Sequence, residues 1–191
     1  MKTKHINLSI FILFCFSIIF SIYQLLDEFD IIKAVYLYSG LFSLIFFTLS
    51  LFFSLYKFKI TKDLPKFLGF YTFFWSLIHF LNYFIFTKNF NFFMFLKDTF
   101  SKSVEFSGFL AFLMLILMFL SSFKLFKKLN KIRKFGYICF IIATWHYFIS
   151  AKIPQWPHFL FLIIAIIFLS IKLYKIFKTL KNNTLSNISL K

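Results

Sequence analysis

KLFKKLNKIRKFGYICFIIATWHYFISAK, Lys124 to Lys152, places six basic residues between Lys124 and Lys134 and then runs from Phe135 to Ala151 without a formal charge. One histidine, His146, interrupts the apolar part. A basic run feeding an apolar one is the pattern of a helix that enters hydrocarbon from a positively charged face. The same alternation recurs outward from this stretch in both directions.

Of the 191 residues, 61% are hydrophobic and 15% are charged, whereas soluble domains carry roughly a quarter charged residues. Crossing about 30 Å of hydrocarbon takes about 20 helical residues, and length with flanking charge gives six candidate spans: Ile6 to Leu26, Ala34 to Tyr56, Phe67 to Thr87, Glu105 to Phe123, Phe135 to Ala151 and His158 to Tyr174. The last two are short and extend into their flanks. Between the third and fourth, NFNFFMFL is too short to span and reads as an interfacial or re-entrant segment. The first run is long, and no small-residue cleavage site precedes Asp27, so it reads as a retained helix. The expected fold is an all-α integral membrane bundle of six transmembrane helices over residues 1–176. Residues 177–191 form a polar tail, expected to be disordered. No internal repeat, Pro-rich linker or low-complexity tract divides the chain.

The formal net charge of +16 would suggest nucleic acid in a soluble domain, but the lysines fall between apolar runs and act first as topology signals, so membrane lipid is the expected environment. On the six-span parse, 17 Lys and Arg residues lie on one side and 5 on the other. The positive-inside rule makes the first side cytoplasmic, with both termini on it. Cys15 and Cys139 sit inside apolar runs without CxxC or zinc spacing and read as buried small side chains.

Two histidines lie well within spans, where ionisable groups are costly and point to function. His79 follows Phe67 by 12 residues and His146 follows Phe135 by 11. Both sit roughly 16 to 18 Å from the same edge, at 1.5 Å per residue. Level imidazoles on two helices are what a bis-imidazole heme needs. The alternative is a pair of histidines hydrogen-bonded to neighbouring Ser, Thr or backbone carbonyls, and depth alone leaves both readings open. Phe73, Phe74, Trp75, Phe80, Tyr83, Trp145, Tyr147 and Phe148 flank the pair. Lys152 stands near the outer boundary, placed either to meet a heme propionate or to snorkel. His5 and His158, at span ends, can reach water.

Three segments carry a resemblance: KFLGFYTFFWSLIHFLNY (Lys66 to Tyr83), FLSSFKLFKKLNKIRKFGY (Phe119 to Tyr137) and TWHYFISAK (Thr144 to Lys152), with a looser match at YSG (Tyr38 to Gly40). Together they resemble the MsrQ/YedZ family, heme-binding membrane subunits of the periplasmic methionine-sulfoxide reductase system within the ferric-reductase-like transmembrane group. The resemblance implies that His79 and His146 are axial ligands of a b-type heme in the periplasmic half of a bacterial inner membrane. It also implies electrons from a cytoplasmic flavin reductase or the quinone pool, delivery to a periplasmic molybdenum-cofactor subunit, and a bound FMN that no residue here locates. Where the family carries a further histidine implicated in a second heme, this chain has Arg133, whose guanidinium offers iron no lone pair. Arg133 can pair with a propionate or flavin phosphate, or serve as one more cytoplasmic charge in KKLNKIRK.

The sequence shows no nucleophile and base set, Gly-rich phosphate loop or zinc motif. The expected role is an electron-transfer subunit without a substrate-reducing site of its own. Two alternatives stand beside it: a direct ferric-chelate reductase using the same heme, and a small non-heme transporter with histidine proton relays.

Overall fold

The computed structural model describes residues 2–56 and 62–189, and among these the fold is all-helical. Helices α1 (Lys2–Leu26) and α2 (Ile31–Leu55) are followed by α3 (Leu64–Asn82), which continues into a π turn, Tyr83–Thr87. A short α4 (Phe92–Ser101) occupies the NFNFFMFL region and leads into α5 (Ser103–Leu120). A tight 3-10 segment, Lys124–Phe135, then precedes α6 (Gly136–Ser150) and α7 (Trp156–Ser189).

The helix ends follow from local chemistry. Asp30 opens α2 by accepting from the Lys33 amide at 3.0 Å, and Asn91 opens α4 by accepting from Met94 N at 2.9 Å, each satisfying an otherwise orphaned donor. Pro65 sits in the first turn of α3, where its missing N–H costs nothing. Asn89 and Phe90 take positive φ after the π turn, reversing the chain toward α4.

Five helical stretches are long and apolar enough to cross a membrane: Asn7–Leu26, Ile31–Leu55, Leu64–Thr87, Ser103–Leu120 and Trp156–Asn182. The remaining expected span falls on α6, whose 15 residues reach only about 22 Å at 1.5 Å per residue, short of the length that crosses about 30 Å of hydrocarbon. The basic residues before it wind as a 3-10 segment broken at Phe126 and do not lengthen the α-helix. The final span, by contrast, extends far beyond its apolar core, and α7 carries on through the polar residues to Ser189. Large apolar side chains such as Phe16, Ile19, Ile163 and Ile166 are exposed along α1 and α7. Several long helices with apolar outer faces are the form of a multi-pass membrane protein.

The core is a ring of four helices in which α2 packs on α3, α3 on α5, α5 on α6, and α6 on α2. Consequently α3 and α6 stand on one diagonal, and α2 and α5 on the other. Helix α2 is the shared wall. Its Phe46 belongs to one buried cluster with Leu64, Leu68 and Trp75, and its Phe47 to a second with Leu115, Phe140 and Ala165. Helix α1 covers α2 and α3, while α7 covers α6 and α2.

Candidate functional site

The histidines occupy the α3–α6 diagonal. The imidazoles of His79 and His146 approach with ring centres 6.2 Å apart and planes at 89°, so the ring of helices brings together the two residues that depth alone had paired.

Each imidazole is seated on the opposite diagonal by a Ser-Gly step. His79 Nδ1 donates to Tyr36 O on α2 at 3.2 Å, and Ser39 Oγ lies 3.2 Å from the same nitrogen. His146 Nδ1 donates to Val104 O on α5 at 2.9 Å, with Ser107 Oγ 3.3 Å away. A carbonyl can only accept, so Nδ1 carries the proton in both rings and Nε2 holds the lone pair. The serine protons are engaged by carbonyls of their own helices, Val35 O and Val104 O. Neither Nε2 makes a hydrogen bond among the described residues.

The glycine after each serine makes room for the ring. A Cβ added at Gly108 would stand 2.6 Å from His146 Cε1 and 2.9 Å from its Nδ1. One added at Gly40 would meet His79 Cε1 and Nδ1 at 3.3 Å. The arrangement is a repeated hairpin: aromatic-Ser-Gly on the first helix, and a histidine on the second that follows the serine by 40 residues in one copy and 39 in the other. No repeat is apparent from composition or spacing of the apolar runs. The signal that would have revealed it is the recurrence of YSG at Tyr38–Gly40 as FSG at Phe106–Gly108 ahead of a buried histidine.

Other expected site residues lie elsewhere. Lys152 is exposed in the α6–α7 turn, without a hydrogen bond or ion pair among the described residues. Arg133 lies in the 3-10 segment at the opposite end of the ring, lining a separate cavity with Lys66. His158 stacks on Tyr147 at 4.2 Å and binds the Gln155 backbone at the start of α7. Several flanking aromatics turn away from the pair. Trp75 donates to Ser17 of α1 and stacks on Phe42, and Trp145 is 48% exposed on the outer face of α6. The ring that meets His79 edge-on is Tyr36, at 5.2 Å. Its hydroxyl pairs with Thr87 in the π turn at 2.9 Å.

Hydrogen bonding of the histidines to serine and carbonyl is thus present, but it consumes only Nδ1. A metal bound through imidazole nitrogens at about 2 Å, the zinc value, places two ring centres roughly 6 Å apart, close to the separation seen here. Among the described residues no group of three or more His, Cys, Asp or Glu is placed to hold a metal ion, and a bare ion ordinarily requires about four ligands. A macrocycle that brings four nitrogens of its own needs only two. The Nδ1–H to carbonyl bond also fixes tautomer and ring orientation in the manner of outer-shell partners at histidine-ligated metals.

Comparison with protein-family models, curated proteins and solved structures finds no match to this chain.

Proposed function

We propose that the chain is a heme b-binding transmembrane electron-transfer subunit with six crossings and both termini in the cytoplasm of a bacterium. The observation that carries the proposal is the close imidazole pair, 6.2 Å between centres, each with Nδ1 anchored to a neighbouring helix and Nε2 without a hydrogen bond among the described residues. His79 and His146 would hold the iron, and a heme bound there would supply one-electron transfer. The chain's own contribution is to keep both imidazoles neutral and oriented, to exclude water by burial among apolar helices, and to hold the site near one membrane face.

The six-crossing topology rests on charge asymmetry, with α6 and its basic lead-in together making the fifth crossing. The resemblance to the MsrQ/YedZ family supports a periplasmic molybdenum-cofactor sulfoxide reductase as acceptor and a flavin reductase or the quinone pool as donor. Lys152 and Arg133 have no contact with the histidine pair that would assign them to the heme, and neither supports an FMN site.

Purified protein should show the paired visible bands of a reduced low-spin b heme, with pyridine hemochrome quantification near one heme per chain. His79→Ala and His146→Ala should each remove most of that absorbance. An unchanged spectrum in both variants, or colourless wild-type protein reconstituted with hemin, would reject the proposal, and the colourless result would favour the proton-relay alternative.

A further inference from the structure

At the end of the ring away from the histidines, α2, α3, α5 and the 3-10 segment enclose a cavity of about 250 Å³. Its floor is apolar, formed by Phe47, Leu51 and Leu115, and its rim carries the hydroxyls of Ser50, Ser54 and Ser122 with two cations, Lys66 and Arg133. No carboxylate lines it. Both cations are exposed, and neither makes an ion pair among the described residues. Lys66 Nζ instead stands 5.7 Å from the centre of the Phe70 ring, which draws it over the cavity wall. Beside the cavity, the Tyr137 hydroxyl is buried next to the wall residue Ser54.

From this we infer that the cavity is a binding site for the phosphate headgroup of an anionic phospholipid. Two cations without a counter-ion at the edge of an apolar bundle select a negative charge, and basic pockets between transmembrane helices bind such headgroups. Size narrows the choice. Pockets for cofactors and drug-sized ligands run from about 300 to 1,000 Å³, so a cavity of about 250 Å³ is small for a flavin or a porphyrin. It suits a phosphate and its glycerol, with the acyl chains leaving along the apolar outer faces. Arg133 offers the paired N–H fork that recognises phosphate oxygens, and Lys66 adds a second positive charge beside it.

The test uses full-length protein in zwitterionic detergent micelles, with thermal melting followed as lipid is added. Phosphatidylglycerol should raise the melting temperature of wild type, whereas phosphatidylcholine and inorganic phosphate at equal concentration should not. The double variant Lys66→Gln/Arg133→Gln should bind phosphatidylglycerol roughly tenfold or more weakly, from the loss of two basic groups at the membrane surface. Lys131→Gln, which removes a charge of the same basic segment outside the cavity wall, should respond like wild type. Equal stabilisation of the double variant and wild type would overturn the inference in favour of diffuse charge attraction. Stabilisation by inorganic phosphate alone would replace the lipid with a free anion. Because melting and lipid affinity are read without heme absorbance, this outcome is independent of the histidine site.

Discussion

The hairpins α2–α3 and α5–α6 repeat one design, yet they hold their histidines by different means. In α2–α3 the helices are tied by polar bonds: Asn82 Nδ2 to Ile32 O at 2.9 Å, Ser43 Oγ to Thr72 O at 3.3 Å, Ser50 Oγ to Pro65 O at 2.8 Å, and Tyr36 to Thr87. In α5–α6 the main polar link outside the histidine is a weak one, Cys139 Sγ to Ala111 O at 3.6 Å. That pair relies on small residues that let the helices close up. Gly108 lies under His146, and a Cβ at Gly136 would meet Met118 Cε at 3.2 Å. Lipid gives apolar helices little reason to associate, so close packing and interhelical hydrogen bonds are the two available means. Each hairpin leans on one of them.

The two hairpins differ most at their glycines. Gly108→Ala forces a methyl to within 2.6 Å of an imidazole pinned at Nδ1. Overpacking of this kind costs about 1–3 kcal/mol, so heme content should fall severalfold. At Gly40 the contact is 3.3 Å, and a shift of a few tenths of an ångström is offset by about 1 kcal/mol of helix propensity gained in replacing Gly by Ala. Gly40→Ala should therefore retain nearly all of its heme. Heme-to-protein ratios of the two variants check this, and equal losses would mean that the hairpins are seated alike.

The serines should separate the two hairpins by a smaller margin. In both Ser107→Ala and Ser39→Ala the Nδ1–H to carbonyl bond remains, and interhelical hydrogen bonds in membranes are worth about 0.6 kcal/mol on average. Heme should stay bound, with modest loss of thermal stability, larger at Ser107 because its hairpin has fewer other polar ties. Complete heme loss in either variant would show that the serine, and not the carbonyl, holds the tautomer.

The smallest expected effect on heme content lies in the connection between the hairpins, where the readout is stability. Lys88 is buried at 2% exposure and is paired with Asp98, which also binds Lys102 at 3.1 Å. The Lys88 contact, followed by that of Lys102, holds the Asp98 carboxyl below its ordinary range. A depressed acid adds stability above the unfolded value, about pH 3.9, and loses it as pH falls through the folded value. Melting temperature should drop as wild type is taken below about pH 4, and Asp98→Asn should be less stable at neutral pH with a weaker acid dependence. Identical acid profiles would remove Asp98 from the account.

Much of this organisation is legible in the sequence, and the missing part has a geometric reason. Length and flanking charge located the apolar helices to within a few residues, except that α7 continues well past Tyr174 to Ser189, and depth paired His79 with His146. Depth says nothing about azimuth, however. A helix turns about 100° per residue, so Trp145, adjacent to His146, faces outward, and Trp75, one turn before His79, binds α1. Tyr36 and Gly108 were invisible for the opposite reason, and Gly40 was noted only as part of YSG: they lie far from the histidines in sequence and meet them only through the diagonal arrangement. Single Ser-Gly steps are common in apolar helices, and only the repetition ahead of a histidine distinguishes these two. The expected span from Phe135 to Ala151 matches α6 to one residue at each end, and only its extension into the flanks is missing, because the basic residues before it wind as a 3-10 segment.

On the proposed reading, His79 and His146 would together hold one heme iron. Frozen-solution electron paramagnetic resonance of the oxidised, heme-loaded protein tests it most directly, because axial imidazoles with planes near 89° give a highly anisotropic low-spin ferric signal. That signal in wild type, converting to high-spin iron when either histidine is replaced, is the predicted result. A high-spin signal in wild type, or low-spin iron that survives both replacements, would contradict it.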